Sequence, residues 1–291
     1  VTPAKLYDHD PSYLTEYALA AFANQKYDVS KQIATFGLSK KPRNAGYNRL
    51  ALYNSFELKQ YDEAAKYVDA LVNKSDSVEL TANDYKYAGL VYTALKQYDN
   101  AISYFNKQLE VTTDAAKKAD VIKSLSDSYK GKGDFAKSLE LYEQYLQMNP
   151  KVGINDYNGL ANIYRNQAAN QQGADQVASV NKAVEIYKTM EEKYPSNADF
   201  CNFMAARTLG LIDATQAKGL ARPYYEKLAK LVEEKGVKDN SDKARLSEAY
   251  TYLGIYLYKI KNEAAAAKPY FEKLLQLDPE NATAKQVLET Y

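Results

Sequence analysis

The chain has 291 residues, with 38 Lys and Arg against 37 Asp and Glu, so its formal net charge is +1. It contains one Cys, one His and no Trp, yet 28 Tyr, about one residue in ten. One Cys forms no intrachain disulfide and, with one His, builds no Cys/His zinc site, so no metal and no cofactor is expected. The balanced charge argues against general nucleic-acid binding, and no apolar run approaches the ~18 residues of a membrane span.

Only 12 Gly and 8 Pro interrupt the sequence, which predicts long helices with short connections. Residues 1–10 read as an N-terminal segment, with His9 solvated between Asp8 and Asp10. Beyond it, spacing repeats. Tyr27-Asp28-Val29-Ser30 returns as Tyr61-Asp62-Glu63-Ala64, Tyr98-Asp99-Asn100-Ala101 and Phe135-Ala136-Lys137-Ser138. Tyr85 is followed by Ala88 and Gly89, then Tyr92; Tyr98 is followed by Ala101, then Phe105. Small residues at these places let paired helices approach, and aromatics seven residues apart fill the gaps. The segment Ala221–Leu228 is echoed by Ala267–Leu274, and Pro42, Pro150, Pro195 and Pro279 close units.

In chain order the predicted units are 11–44, 45–81, 82–118, 119–153, 154–197, 198–246 and 247–280, with a capping helix at 281–291. In the fourth unit Lys130–Asp134 reads as the turn between its helices. About ten extra residues, around 166–177, swell the fifth unit. The sixth extends through 233–243, where Gly236 and Asp239–Asp242 read as a surface loop. Pro223 and Pro269 each imply a helix that starts late, with Pro in the first turn, or one that kinks.

The tandem pattern resembles the tetratricopeptide repeat (TPR) family, whose unit is a helix-turn-helix of 34 residues. The resemblance implies an all-α, right-handed superhelical solenoid whose concave face is lined mainly by the first helix of each unit. It also implies a non-enzymatic scaffold or adaptor that binds a protein or an extended peptide. Carried over by unit position, the groove contacts are Arg49, Tyr53 and Phe56 with Glu57 in the second unit, and Lys86 with Asn83, Leu90 and Thr93 in the third. The fourth supplies Lys123 with Asp120, Asp127 and Lys130, and the seventh Thr251, Ile255, Tyr258 and Lys259. The fifth stands apart, presenting Asn155, Asn158, Asn162, Arg165 and Asn166. Asparagine carries both a donor and an acceptor, so a helix-spaced row can grip a peptide backbone whatever its side chains. It is also a poor helix former, unsuited to stabilising the helix it rides on, although such a row also reads as a solvated face. Nearby Lys and Arg suit a carboxylate, which extends the expected partners to acidic peptides.

Some family members hold a chaperone's C-terminal carboxylate with Lys-x-x-x-Asn, Asn and Lys-x-x-x-Arg on successive first helices. Here Lys123 is followed by Asp127 and Asn158 by Asn162, so that role is not expected. Cys201 reads as a small buried hydrophobe, the pairs Glu191-Glu192 and Glu233-Glu234 converge on nothing, and no catalytic residue is expected. Tyr53 and Phe56 also suit an apolar peptide anchor or a sugar. Tyr-rich, Trp-free repeats of this kind look like those of bacterial envelope proteins, which places the periplasm or cell envelope ahead of the cytoplasm. That resemblance keeps envelope assembly, glycan binding or a regulatory part of a longer protein as alternative roles.

Overall fold

In a computed structural model, which describes residues 3–5, 11–76 and 78–290, the chain is a succession of helix-turn-helix pairs, with no strand among the described residues. This is the all-α repeat architecture expected from the sequence. His9 lies outside the described residues. The chain divides into two compact units, 1–149 and 150–291.

The first unit holds α1 (Pro11–Ala23), α2 (Tyr27–Lys40), α3 (Ala45–Glu57), α4 (Tyr61–Asp69), α5 (Ala82–Ala94), α6 (Tyr98–Val111), α7 (Ala115–Lys132) and α8 (Phe135–Met148). The second holds α9 (Ile154–Ala169), α10 (Gly173–Lys193), α11 (Ala198–Leu209), α12 (Arg222–Lys235), α13 (Asn240–Ile255), α14 (Ala264–Leu277) and α15 (Ala282–Leu288). One π-helical turn extends α4 through Ala70–Lys74 and another extends α13 through Tyr256–Ile260.

Packing within a pair follows the small-residue positions. Ala88, Ala101 and Ala161 are buried, and a Cβ built on Gly89 would lie 2.5 Å from the Phe105 ring. The second-helix aromatics Phe105, Tyr142, Tyr187, Tyr225 and Phe271 are buried, so the third to seventh units each close around one large ring, whereas Tyr67 of the second is half-buried. Tyr85, Tyr92, Tyr98, Tyr157 and Tyr164 are only half-buried. Tyr92 stacks on Tyr104 with centroids 5.6 Å apart, and Tyr157 meets Tyr194 edge to face at 6.3 Å.

Side-chain caps set several helix starts, and two of them move expected boundaries. Asp114 accepts a hydrogen bond from the Lys117 amide, so α7 begins at Ala115 rather than at 119. Asp239 does the same for Asp242, so α13 begins at Asn240 and the expected loop over 239–242 is a cap and a first turn. The turn expected over Lys130–Asp134 shrinks because α7 runs to Lys132 and only Gly133, at φ 89°, breaks it before the Asp134 cap. The additional residues of the fifth unit lengthen α9 and α10 instead of forming a loop. Pro223 falls in the first turn of α12, whereas Pro269 lies inside α14, because Ala264–Ala267, strong helix formers, extend that helix one turn upstream. The longest irregular connection, 210–221, precedes α12; the buried Asp213 carboxylate holds it by accepting from the Lys218 and Leu220 amides, each at 3.1 Å.

Candidate functional site

Each predicted contact sits on the first helix of its pair, but the helices use them differently. In the first unit, Asp84 stands at the third position of α5, where Thr81 and Asp84 cap each other: Thr81 N donates to Asp84 Oδ2 at 2.8 Å and Asp84 N donates to Thr81 Oγ1 at 3.3 Å. Into this buried carboxylate Arg49 drives its guanidinium, with Nε 2.6 Å from Oδ1 and Nη2 2.8 Å from Oδ2. The Tyr53 hydroxyl donates to Oδ1 at 2.7 Å. Burial would raise the Asp84 pKa, but these donors hold the carboxyl below the usual carboxylate range, while burial and then Asp84 push the Tyr53 hydroxyl up.

Arg49 and Tyr53 therefore clamp α3 to α5 instead of presenting free groups. Tyr53 is 8% exposed and stacks on Tyr87 at 4.0 Å, and Phe56 packs edge-on against the same ring at 5.5 Å. Lys123 lies over the Tyr145 ring, Nζ 4.6 Å from its centroid and 3.3 Å from its hydroxyl. Lys86 differs: it is exposed, has no ion-pair partner among the described residues, and edges a cleft of about 500 Å³ with Thr81, Asn83 and Lys117.

In the second unit, α9 carries the asparagine row. Asn155 and Asn166 are exposed, and Asn158, Asn162 and Arg165 half-buried. Asn162 Oδ1 accepts from Arg165 Nη1 at 3.1 Å. Two buried polar atoms of the row, Asn158 Oδ1 and Arg165 Nε, find no partner among the described residues. Such an unmet group costs about 1–3 kcal/mol. Arg165 also lies beside the buried Tyr187 hydroxyl; burial raises that pKa and the guanidinium opposes the rise.

At the N-terminal end of the row, Asn155 and Asn158 line a cleft of about 390 Å³ that also touches the starts of α11 and α13. Its floor is a charge knot that the sequence did not single out. Lys235 Nζ donates to Asp199 Oδ2 and Asp242 Oδ1, each at 2.8 Å, and Arg245 Nη1 donates to Asp199 Oδ2 at 2.8 Å. Burial pushes the Asp199 carboxyl up but Lys235 and Arg245 bring it below the usual range, and Lys235 brings Asp242 down likewise. A readable signal exists for part of it: an acid three residues after the cap, as in Thr81–Asp84 and Asp239–Asp242, marks a buried helix-start carboxylate.

Cys201 is 1% exposed, and burial, Glu191 and Asp199 push its thiol up to about 11, so it is held as a neutral thiol. Among the described residues, no His, Cys, Asp and Glu cluster could hold a metal ion, and no helix is long and apolar enough to cross a membrane.

Comparison with known proteins points one way. Family models described as tetratricopeptide repeat match residues 80–151 and 247–281. The chain resembles the C-terminal part of a TPR repeat-containing protein from Cytophaga hutchinsonii, at 23% identity over 94% of this chain and 99% of that one, with a TM-score of 0.72. It also resembles a tetratricopeptide repeat protein from Parabacteroides merdae, at 14% identity over 98% of each chain, with a TM-score of 0.55. No curated protein matches the chain.

Proposed function

Because this chain is a tetratricopeptide repeat protein, we propose that it is a non-enzymatic scaffold or adaptor that grips an extended peptide along the α9 face. Tetratricopeptide repeats generally mediate protein–protein interaction. The observation that carries the reading is the contrast between helix faces. Arg49, Tyr53, Phe56 and Lys123 are occupied by other elements of the fold, whereas Asn155, Asn158, Asn162, Arg165 and Asn166 follow one another along a helix where Asn162 and Arg165 bond each other, Arg165 flanks Tyr187, and the buried Asn158 Oδ1 is unmet. A peptide backbone supplies alternating N–H and C=O groups, the complement of asparagine amides.

The test is binding of the full chain to a library of synthetic octapeptides, acetylated and amidated at their ends. The variant Asn162→Ala/Arg165→Ala is expected to weaken the bound peptides at least tenfold, all to a similar degree, because backbone contacts do not discriminate. Thermal melts and circular dichroism would show the fold intact. Equal binding by the variant and the parent would remove α9 as the site.

A further inference from the structure

The cleft of about 390 Å³ at the N-terminal end of the asparagine row has a chemistry of its own. Three cations, Lys235, Lys238 and Arg245, and three carboxylates, Asp199, Asp239 and Asp242, line it, so its formal charge is 3 − 3 = 0. The charges are also committed. Lys235 bridges Asp199 and Asp242, Arg245 holds Asp199, and the carboxylates of Asp239 and Asp242 accept the Asp242 and Lys238 amides. An acidic side chain entering here meets Asp199 and Asp242, and a basic one meets Lys235 and Arg245. Neither finds an uncompensated buried counter-charge to offset its own desolvation. Lys238 is exposed at the rim, where an ion pair in water adds little.

An apolar side chain fares no better. The cleft's apolar lining is Ile154, which is half-buried against the core, and Phe200, whose ring has the Arg245 guanidinium over it, 5.6 Å from the centroid. What the cleft does present is amide chemistry. Asn158 Oδ1 is a buried acceptor without a donor, and the exposed Asn155 amide makes no hydrogen bond among the described residues. Asn158 lines the cleft with its Oδ1 buried, so the side chain must turn for that oxygen to meet a ligand. A primary amide is the matching group, since it donates through N–H and accepts through C=O in one plane.

We infer that this cleft selects an uncharged amide side chain, glutamine or asparagine, at one position of the bound peptide. The inference rests on the peptide reading above, with Asn155 and Asn158 supplying selectivity and Asn162 and Arg165 general affinity.

A positional scan of the same end-blocked octapeptides against the full chain tests it. One position is expected to prefer Gln or Asn about tenfold over Asp, Glu, Lys, Arg and Leu. Asn158→Ala and Asn155→Ala are expected to flatten that preference while the other positions keep theirs. Asn158→Asp, which preserves shape and adds a negative charge to a neutral cleft, is expected to turn the preference toward Lys or Arg. A position selecting acids or aliphatics, or a Gln/Asn preference untouched in all three variants, overturns the selectivity while leaving peptide binding in place. No binding by any peptide overturns the peptide reading and this inference together. So does binding of a neutral oligosaccharide, lost in Asn158→Ala, by a chain that ignores peptides.

Discussion

At the scale of single residues, Arg49 and Asn158 stand at the same place in the first helices α3 and α9, and their neighbours give them opposite fates. Arg49 faces a buried acid and is captured by it; Asn158 keeps its oxygen buried without a donor. Truncating Arg49 leaves the Asp84 carboxylate inside the fold with only the Tyr53 hydroxyl, Thr81 and solvent to answer it. Arg49→Ala should therefore cost about 2–3 kcal/mol in urea unfolding, below the 3–5 kcal/mol of a fully buried pair because Arg49 is partly solvated. Tyr53→Phe should cost about 1 kcal/mol, the net worth of one hydrogen bond. A neutral result for Arg49→Ala would show that Asp84 is already solvated. Repeat spacing put Arg49 and Tyr53 on the first helix of their pair, and both are on it. What spacing alone does not convey is that Asp84, 35 residues further on, points back at them. That information lies between units, and it turns expected ligand contacts into clamps.

At the scale of elements, the repeat was legible because the third to seventh helix pairs enclose the same small and aromatic positions: Ala101 and Phe105 carry the same contact in one unit as Ala267 and Phe271 in another. Helix ends were less legible, because caps such as Asp114 and Asp239 decide them through one hydrogen bond each. The turns inside the pairs use a backbone that the sequence disguises. Gln25, Lys59, Lys96 and Asn262 adopt φ between 56° and 60°, the left-handed region where Gly133 serves in the fourth pair at 89°. A non-glycine side chain there carries a steric cost of about 1 kcal/mol. Lys96 is exposed and makes no ion pair among the described residues, so replacing it loses no contact. Lys96→Gly should raise stability by about 0.5–1 kcal/mol, seen as a higher melting temperature. The same change at Lys107, inside α6, should lower it by about 1 kcal/mol or more, since glycine there adds backbone entropy and takes the ammonium off the Tyr104 ring, 5.3 Å from its centroid. A Lys96→Gly variant that melts lower than the parent would mean that the turn relaxes out of the left-handed region.

At the scale of the whole molecule, stability in a repeat chain is summed from units and their nearest neighbours, so damage to one junction stays local. Acid provides a way to apply that damage. The Asp84, Asp199 and Asp242 carboxyls all sit below the usual carboxylate range in the folded chain. A group whose pKa is depressed by folding contributes stability that is fully present above its unfolded value of about 4, and the contribution is lost as pH falls through the folded value. The parent should therefore lose stability steeply as pH drops below about 4. Asp199→Asn removes one of these carboxylates, so its loss in that window should be shallower, from a lower plateau at pH 7, where Lys235 and Arg245 keep only Asp242 between them. Hydrogen exchange at pH 7 would locate the effect. Amides in α11, α12 and α13, which the knot of Asp199, Lys235, Asp242 and Arg245 ties together, should exchange faster in Asp199→Asn, while α1 to α4 keep the parent's protection. Faster exchange spread evenly from α1 to α14 would instead mean that the chain opens as one cooperative body. The additive account of its stability would then fail, and with it the expectation that Arg49→Ala and Asp199→Asn add independently.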